Sequence, residues 1–391
     1  MGPLASLKVI LVDAQGSASV GASYLASLGA KVLRLDRLNA ENAHHVNFAE
    51  HVGGDWVDPR QNTLSSAQWS VDVDLKNKDA AEVVLRLAEG ADIIIEGFRP
   101  GVAERLGIGP DACLKRNPRL VYLRATGWGQ TGPLANVPGH DINYIAIAGA
   151  LDPIGFSGSP PVPPLNLLGD VAGGLHAAFG ALAAVFEARL SGKGQVVDAA
   201  MLDSAAMFMK VMYMMHSMGA WSLTRGENLM DTGAPFYGVY ETADGKYVAV
   251  SPFEAHFYAE FLDRIGVPKE ERPAQMDRDA WPAMRDKIAA IFKTKTREQW
   301  IEALEYTNAC VSPVLSLAEA PAHPQNMARH QFEMLGKIVV PANAPRLSRT
   351  PAPAASERSP PSTPERREQA LLDWGFSAHE IAALKQARIV A

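Results

Sequence analysis

Two proton-handling side chains stand out by type and setting. His140 lies in Gly139-His140-Asp141-Ile142-Asn143-Tyr144, and Asp170 closes Pro163-Pro164-Leu165-Asn166-Leu167-Leu168-Gly169-Asp170. A carbon acid that loses its proton on one face and regains it on the other needs a base on each side, and a histidine with a carboxylate meets that need. The chemistry these types point to is racemisation beside a carbonyl, without a cofactor. Each residue opens a run of helical spacing, and the stretch between them is too rich in proline and glycine to be one helix.

Either residue alone has a plainer reading. Lone histidines are mostly structural, and an aspartate ahead of a helix is ordinarily an N-cap. Context shifts the balance. Gly139 permits a tight backbone, and Asp141 or Asn143 can serve a first helical turn whose free N–H groups form an anion site. An enolate oxygen is such an anion, so the backbone N–H of Asp141 is the expected oxyanion donor, with an effect of about a hundred- to a thousandfold in rate. After Asp170, Val171-Ala172-Gly173-Gly174 lets a ligand or another backbone approach, and Asn166 can hydrogen-bond the carboxyl group. A helix N-terminus stabilises a carboxylate, whereas a useful base needs a raised pKa; burial against an acyl chain would supply the raise.

The elements that must hold these residues begin with alternating strands and helices. Residues 8–12 read as a strand, 17–28 as a helix ended by Gly29, and 31–36 as a second strand. A helix over 79–89 and strands over 92–96 and 119–124 continue the pattern, which predicts an α/β fold: a Rossmann-like parallel sheet with helices on both faces. Ligands of such sheets sit at the carboxyl ends of strands, which makes Arg37 and Arg99 candidate phosphate grips. Helices are expected over 141–151 and 170–190, then a strand over 195–198 and a helix reaching about Gly219. Seven of the thirteen methionines fall in that last stretch, which reads either as a fully buried helix or as an adaptable surface for acyl chains.

A composition change near Arg225 introduces a smaller α+β domain. Residues 236–241 and 246–250 flank Thr242-Ala243-Asp244-Gly245 as a hairpin, and helices start at Trp281 and at Thr296, the latter with Gln299 as capping box. A Pro- and Ser-rich strap spans 342–365, and the last helix has Ser377 and Glu380 as its capping box. The expected domains are a large ligand-binding domain over 1–190, a linker helix over 191–225, the small domain over 226–318, and a segment over 319–391 returning to the large domain.

The chain of 391 residues suffices for two cores, and its net charge of -6 gives no reason to expect nucleic acid or an anionic membrane as partner. No apolar run is expected to span a membrane, and Met1 to Leu11 lacks the features of a signal peptide. The two cysteines, Cys113 and Cys310, argue for a reducing, cytoplasmic compartment and read as small buried apolar residues outside any metal-ligand spacing.

Several segments together carry a family resemblance. They are Glu96-Gly97-Phe98-Arg99-Pro100-Gly101-Val102, Ala125-Thr126-Gly127-Trp128-Gly129-Gln130-Thr131-Gly132-Pro133, the Gly139 to Tyr144 and Pro163 to Asp170 segments, Gly192-Lys193-Gly194-Gln195-Val196-Val197-Asp198-Ala199-Ala200 and Gly233-Ala234-Pro235-Phe236-Tyr237. From about residue 7 to the terminal helix the chain resembles the α-methylacyl-CoA racemases of the class III CoA-transferase superfamily. The resemblance implies that His140 and Asp170 are the acid/base pair, that Glu254 orients His140, and that Asn166 partners Asp170. It also implies an interlocked homodimer with the active site between one subunit's large domain and the other's small domain. CoA, as part of the substrate, would lie near Arg37, Arg99 and Asp74-Leu75-Lys76, with the methionines facing the acyl group; no metal or redox cofactor is implied. The chain departs from the family at Ala14-Gln15-Gly16-Ser17-Ala18, which lacks the usual prolines, and at Ser65-Ser66-Ala67-Gln68-Trp69, where an Asn-Arg-x-Lys-like stretch is usual.

Three other readings compete. A CoA-transferase would use Asp170 as nucleophile through mixed anhydrides and would not need a second base at His140. A dinucleotide-dependent oxidoreductase fits the sheet and Asp36, but Gly16 and Gly21 do not complete a G-x-G-x-x-G fingerprint. A non-catalytic CoA-binding protein would have no use for His140 and Asp170 together.

Overall fold

The computed structural model describes residues 2–38, 68–335, 337–354 and 364–391. Strands β1 (Lys8–Val12), β2 (Lys31–Arg37), β3 (Gln68–Val73), β4 (Ile93–Glu96), β5 (Val121–Thr126) and β6 (Val196–Ala200) form one sheet in the order β3-β2-β1-β4-β5-β6, with every pair parallel. Val9 to Val12 and Ile93 to Ile95 are wholly buried, as continuous apolar runs must be when helices cover both faces. The edge strand β3, Gln-Trp-Ser-Val-Asp-Val, alternates too weakly to be evident in the sequence. The strand order reverses between β1 and β4, and ligands of doubly wound sheets sit in the crevice beyond such a point.

One face carries helices α1 (Ser17–Ser27) and, later in the chain, Ala172–Ser191; the other carries α2 (Ala80–Glu89), α3 (Val102–Arg105), α4 (Pro110–Arg116) and the C-terminal helices Pro364–Asp373 and Ala378–Gln386. Cys113 is fully buried in the second core, as expected, whereas Cys310 is half-buried in a turn with positive φ.

Helix α5 (Asp141–Ile147) stops four residues before the expected Leu151, just ahead of Gly149 at φ +71. The long helix α6 (Ala172–Ser191) follows a π-helical turn over Leu167–Val171, so Asp170 does not cap it. Together the turn and α6 make 25 residues long and apolar enough to cross a membrane, contrary to expectation. Leucines, valines and phenylalanines supply most of that hydropathy, and one side of α6 packs against α1 and the sheet. Gly174 makes this packing close, since a Cβ there would lie 2.6 Å from Cβ of Val20 and 2.8 Å from the carbonyl of Ser17.

The Met-rich helix is two helices, α7 (Met201–Phe208) and α8 (Lys210–Ser217). The fully buried reading does not hold: α8 buries no residue, and Met207, Met214 and Met218 are 59%, 54% and 73% exposed. Lys210, His216 and Ser217 put polar groups on α8 that a helix buried all round would not carry.

The described chain forms two compact units, one of residues 1–148, 165–207 and 324–391, the other of 149–164 and 208–323. In the second unit, β7 (Gly238–Glu241), β8 (Tyr247–Val250) and β9 (Val311–Pro313) form an antiparallel sheet packed on helices α9 (Ala255–Arg264), α10 (Trp281–Phe292) and α11 (Arg297–Leu304). The hairpin and the Thr296–Gln299 and Ser377–Glu380 capping boxes form as the sequence predicts. Residues 355–363 of the expected strap lie outside the described residues.

Candidate active site

His140 is delivered by a loop that two aromatic rings hold in place. The Tyr144 hydroxyl donates to the Gly139 carbonyl, and its ring covers Gly127 so closely that any Cβ there would overlap it. Trp128 meets Tyr144 edge-on at 4.7 Å and donates its indole N–H to the carbonyl of Val137 at 3.1 Å. Gly139 lies under both rings, where a Cβ would be 2.9 Å from Tyr144 and 3.1 Å from Trp128. The backbone N–H of His140 donates to Oδ1 of Asn143 at 3.0 Å, and His140 itself is exposed at the N-cap of α5.

Asp141, the next residue, is 8% exposed and turns its carboxylate away from solvent. Its Oδ2 accepts the backbone N–H groups of Gly169 at 2.7 Å and of Asp170 at 2.8 Å. Its Oδ1 is buried without a hydrogen-bond partner. Gly169 has to be glycine, because a Cβ would run into this carboxylate. The backbone N–H of Asp141, the expected oxyanion donor, meets no acceptor among the described residues.

Asp170 sits in the π turn, where the N–H of Val171 reaches back to the carbonyl of Asn166 at 3.1 Å. Single π turns inside helices are frequent at functional sites. The plainer N-cap reading does not hold: the carboxyl group of Asp170 does not close a helix end but receives the Asn166 side-chain amide at 3.3 Å, as the sequence allowed. On its other side Oδ1 rests against Gly16, where a Cβ would lie 3.0 Å away. Burial pushes the Asp170 carboxyl above the ordinary carboxylate range; the Asn166 hydrogen bond opposes this, the Asp141 charge adds to it, and His140 lowers it again. His140 and Asp170 are thus within electrostatic reach of each other.

Tyr144 reports the same neighbourhood. Its hydroxyl is pushed up first by burial, then by the charge of Asp170, and is pulled back by Arg99. Arg99 is exposed in the loop after β4, Arg37 ends β2 and pairs with Asp13 after β1, and Lys76 lies in the turn after β3. The strands are parallel, so these three cations share the carboxyl edge of the sheet. Glu254 belongs to the second unit, exposed at the N-cap of α9. That unit also holds a cavity of about 210 Å³ lined by Met209, Met212, Tyr213, Trp221 and Leu223. Residues 65–67 of the divergent segment lie outside the described residues, and Gln68 and Trp69 begin β3.

The structure therefore brings together His140, Asp141, Asn166, Asp170 and Arg99 in the first unit. Reading the sequence missed the Asp141 carboxylate, the contact of Gly16 with Asp170, and Tyr144 as clamp. Tyr144 stood in the recognised motif, but nothing along the chain linked Gly16 to a residue so distant in sequence.

The sequence profile of CoA-transferase family III matches residues 4–365. The α-methylacyl-CoA racemase of Mus musculus is 41% identical over 368 residues, covering 94% of this chain and 92% of that protein. The Homo sapiens α-methylacyl-CoA racemase is 38% identical over 371 residues, again covering 94% and 92%. The crystal structure of a CAIB/BAIF family protein from Brucella suis has the same fold, with a TM-score of 0.80 at 20% identity over 95% of this chain and 99% of that one.

Proposed function

The chain belongs to CoA-transferase family III, alongside its α-methylacyl-CoA racemases, and from that premise we propose that it is an isomerase inverting C2 of 2-methylacyl-CoA thioesters with His140 and Asp170 as its two bases. One base removes the C2 proton, and the electron pair moves onto the thioester oxygen as an enolate. The other base, entering protonated, delivers a proton to the opposite face. The Asp141 N–H is the proposed donor to the enolate oxygen, and the raised pKa of Asp170 suits a group that must both take and give a proton. The reaction so written uses no metal or redox cofactor; CoA arrives with the substrate.

The observation carrying this reading is the Asp141 bridge, which ties the loop of His140 to the π turn of Asp170. Arg37, Lys76 and Arg99 are the proposed CoA contacts, and the Met-lined cavity of the second unit the proposed seat of the acyl tail. Glu254 is proposed to orient His140 in a homodimer. The apolar stripe of α6 supports a second copy as partner: Leu175, Phe179, Phe186 and Leu190 are 54%, 67%, 69% and 75% exposed.

The test is α-proton exchange. Each enantiomer of a 2-methylacyl-CoA is incubated with the protein in deuterated water, following deuterium gain and inversion together. Both enantiomers should gain deuterium at C2 and interconvert. Absence of exchange from either enantiomer, across several acyl groups, would remove the reading.

A further inference from the structure

The carboxyl ends of β4 and β5 carry a buried ionic cluster that the proton transfer does not use. Glu96 and Arg124 are register partners on these adjacent strands, 2% and 9% exposed. The guanidinium reaches three connections at once. One Nη donates to Glu104 on α3, and the other donates to Oε1 of Gln130 at 2.6 Å, in the loop after β5. Its Nε lies 3.5 Å from Oε1 of Glu96 without a hydrogen bond. The second oxygen of Glu96 accepts the backbone N–H of Phe98 at 2.6 Å, one residue before Arg99. Gln130 in turn donates its backbone N–H to Asp198 of β6 at 3.0 Å.

Arg99 thus sits in a short loop gripped from both ends, by Glu96 on one side and by the Arg124–Glu104 pair on α3 on the other. Gly97 adds a tight passage, since a Cβ there would lie 3.4 Å from the carbonyl of Ala125. A network serving stability alone has little reason to be ionic here, because well-packed apolar side chains often do as well. It also leaves Nε of Arg124 and Nε2 of Gln130 buried without hydrogen-bond partners. Geometry is what it supplies: one rigid fork ties α3 and the loop after β5 to the end of β4, at the sheet edge where ligands of such folds bind.

We infer that Arg124 is a positioning residue for the CoA moiety, acting through the loop that carries Arg99 and leaving the proton-transfer pair alone. This rests on the proposed function only in taking a CoA thioester as the ligand. The conservative partner in the test is Arg124→Lys, which keeps charge without the fork, and the disruptive one is Arg124→Met.

The experiment compares KM and kcat for a 2-methylacyl-CoA and for the same acyl group on pantetheine, with calorimetric titration of free CoA alongside. Arg124→Met is expected to raise the CoA dissociation constant and the KM of the CoA thioester at least about tenfold, the loss falling on KM rather than kcat. The pantetheine thioester, which lacks the nucleotide phosphates, should keep its KM, and Arg124→Lys should fall between wild type and Arg124→Met. An unchanged CoA dissociation constant, or equal losses with both thioesters, would overturn the inference. If Arg124→Met does not fold, Glu104→Gln cuts one arm of the fork and is read the same way, with the same two overturning results. Wild-type protein that binds CoA but exchanges no proton would remove the proposed function and leave this inference to the calorimetry.

Discussion

The carboxylate of Asp141 lies 2.8 Å from the backbone nitrogen of Asp170, so the residue following one proposed base holds the main chain of the other. A second bond from the Gly169 N–H at 2.7 Å makes the anchor two-pronged. Charge-assisted bonds of this kind are shorter and stronger than neutral ones. They fix the spacing of His140 and Asp170 in a way that the 29 residues between them, with their glycines and prolines, do not.

Removing the anchor should cost both stability and rate. Asp141→Ala leaves two buried N–H groups unpaired, each at about 1–3 kcal/mol. The thermal midpoint is expected to fall by several degrees, and kcat by about a hundredfold or more as Asp170 loses its place. Asp141→Asn, which keeps one acceptor oxygen, should lose less on both counts. Melting curves and racemisation rates of the two variants check this; equal rates for Asp141→Ala and wild type would detach the bridge from catalysis.

Gly16 is a steric prediction. Its φ of +57 disfavours a side chain, and a Cβ would press on the Asp170 carboxyl at 3.0 Å. Gly16→Ala is expected to lower kcat far more than it lowers stability, whereas Gly16→Ala with full activity would show that Asp170 tolerates displacement. Steady-state rates beside a thermal melt separate the two.

The pH dependence follows from the raised pKa of Asp170. In the direction where Asp170 is the base it must be deprotonated, so that rate falls as pH drops through a value above the ordinary ~3.9 of aspartate. In the opposite direction it must be protonated, and the rate falls as pH rises through the same value. Profiles of kcat against pH from each enantiomer should show these opposite limbs. An acid limb at or below the ordinary carboxylate value would contradict the buried environment of Asp170.

Glu96 makes a stability prediction with the same sign. Burial pushes its carboxyl up to about 7, against the Phe98 N–H and Arg124, while Glu104 and Asp198 add to the rise. The folded state therefore holds the proton more tightly than the unfolded chain. That contribution is complete below the unfolded value of about 4.3 and is lost as pH rises through about 7. Glu96→Gln should flatten the decline in melting temperature between pH 5 and pH 8, in the order of a few degrees. An unchanged slope would mean that Glu96 titrates in the ordinary range.

The exposed stripe on α6 predicts assembly. Phe179→Lys combined with Phe186→Lys places charge where a second copy would pack, and light scattering should then report monomer in place of dimer. If wild type is itself monomeric, the stripe has another purpose.

Much of this protein was written locally in its residues. The triple isoleucine of β4, the alternation of strands and helices, and the Thr296–Gln299 and Ser377–Glu380 boxes each depend on neighbours within a few positions, and each forms as read. The proposed bases His140 and Asp170, with Asn166, could be named from the sequence because chemistry restricts side-chain type. Other features depended on partners far away in the chain. Whether the Met-rich segment was buried, whether Asp170 capped a helix, and what the Asp141 carboxylate did were decided by packing: no spacing rule tells a buried face from an exposed one when both are apolar. The sequence alone determined which groups could exchange a proton. Only the tertiary structure decided that Gly16, Gly169 and Asp141 would close around one of them, because steric seats and buried hydrogen bonds exist only once distant segments meet.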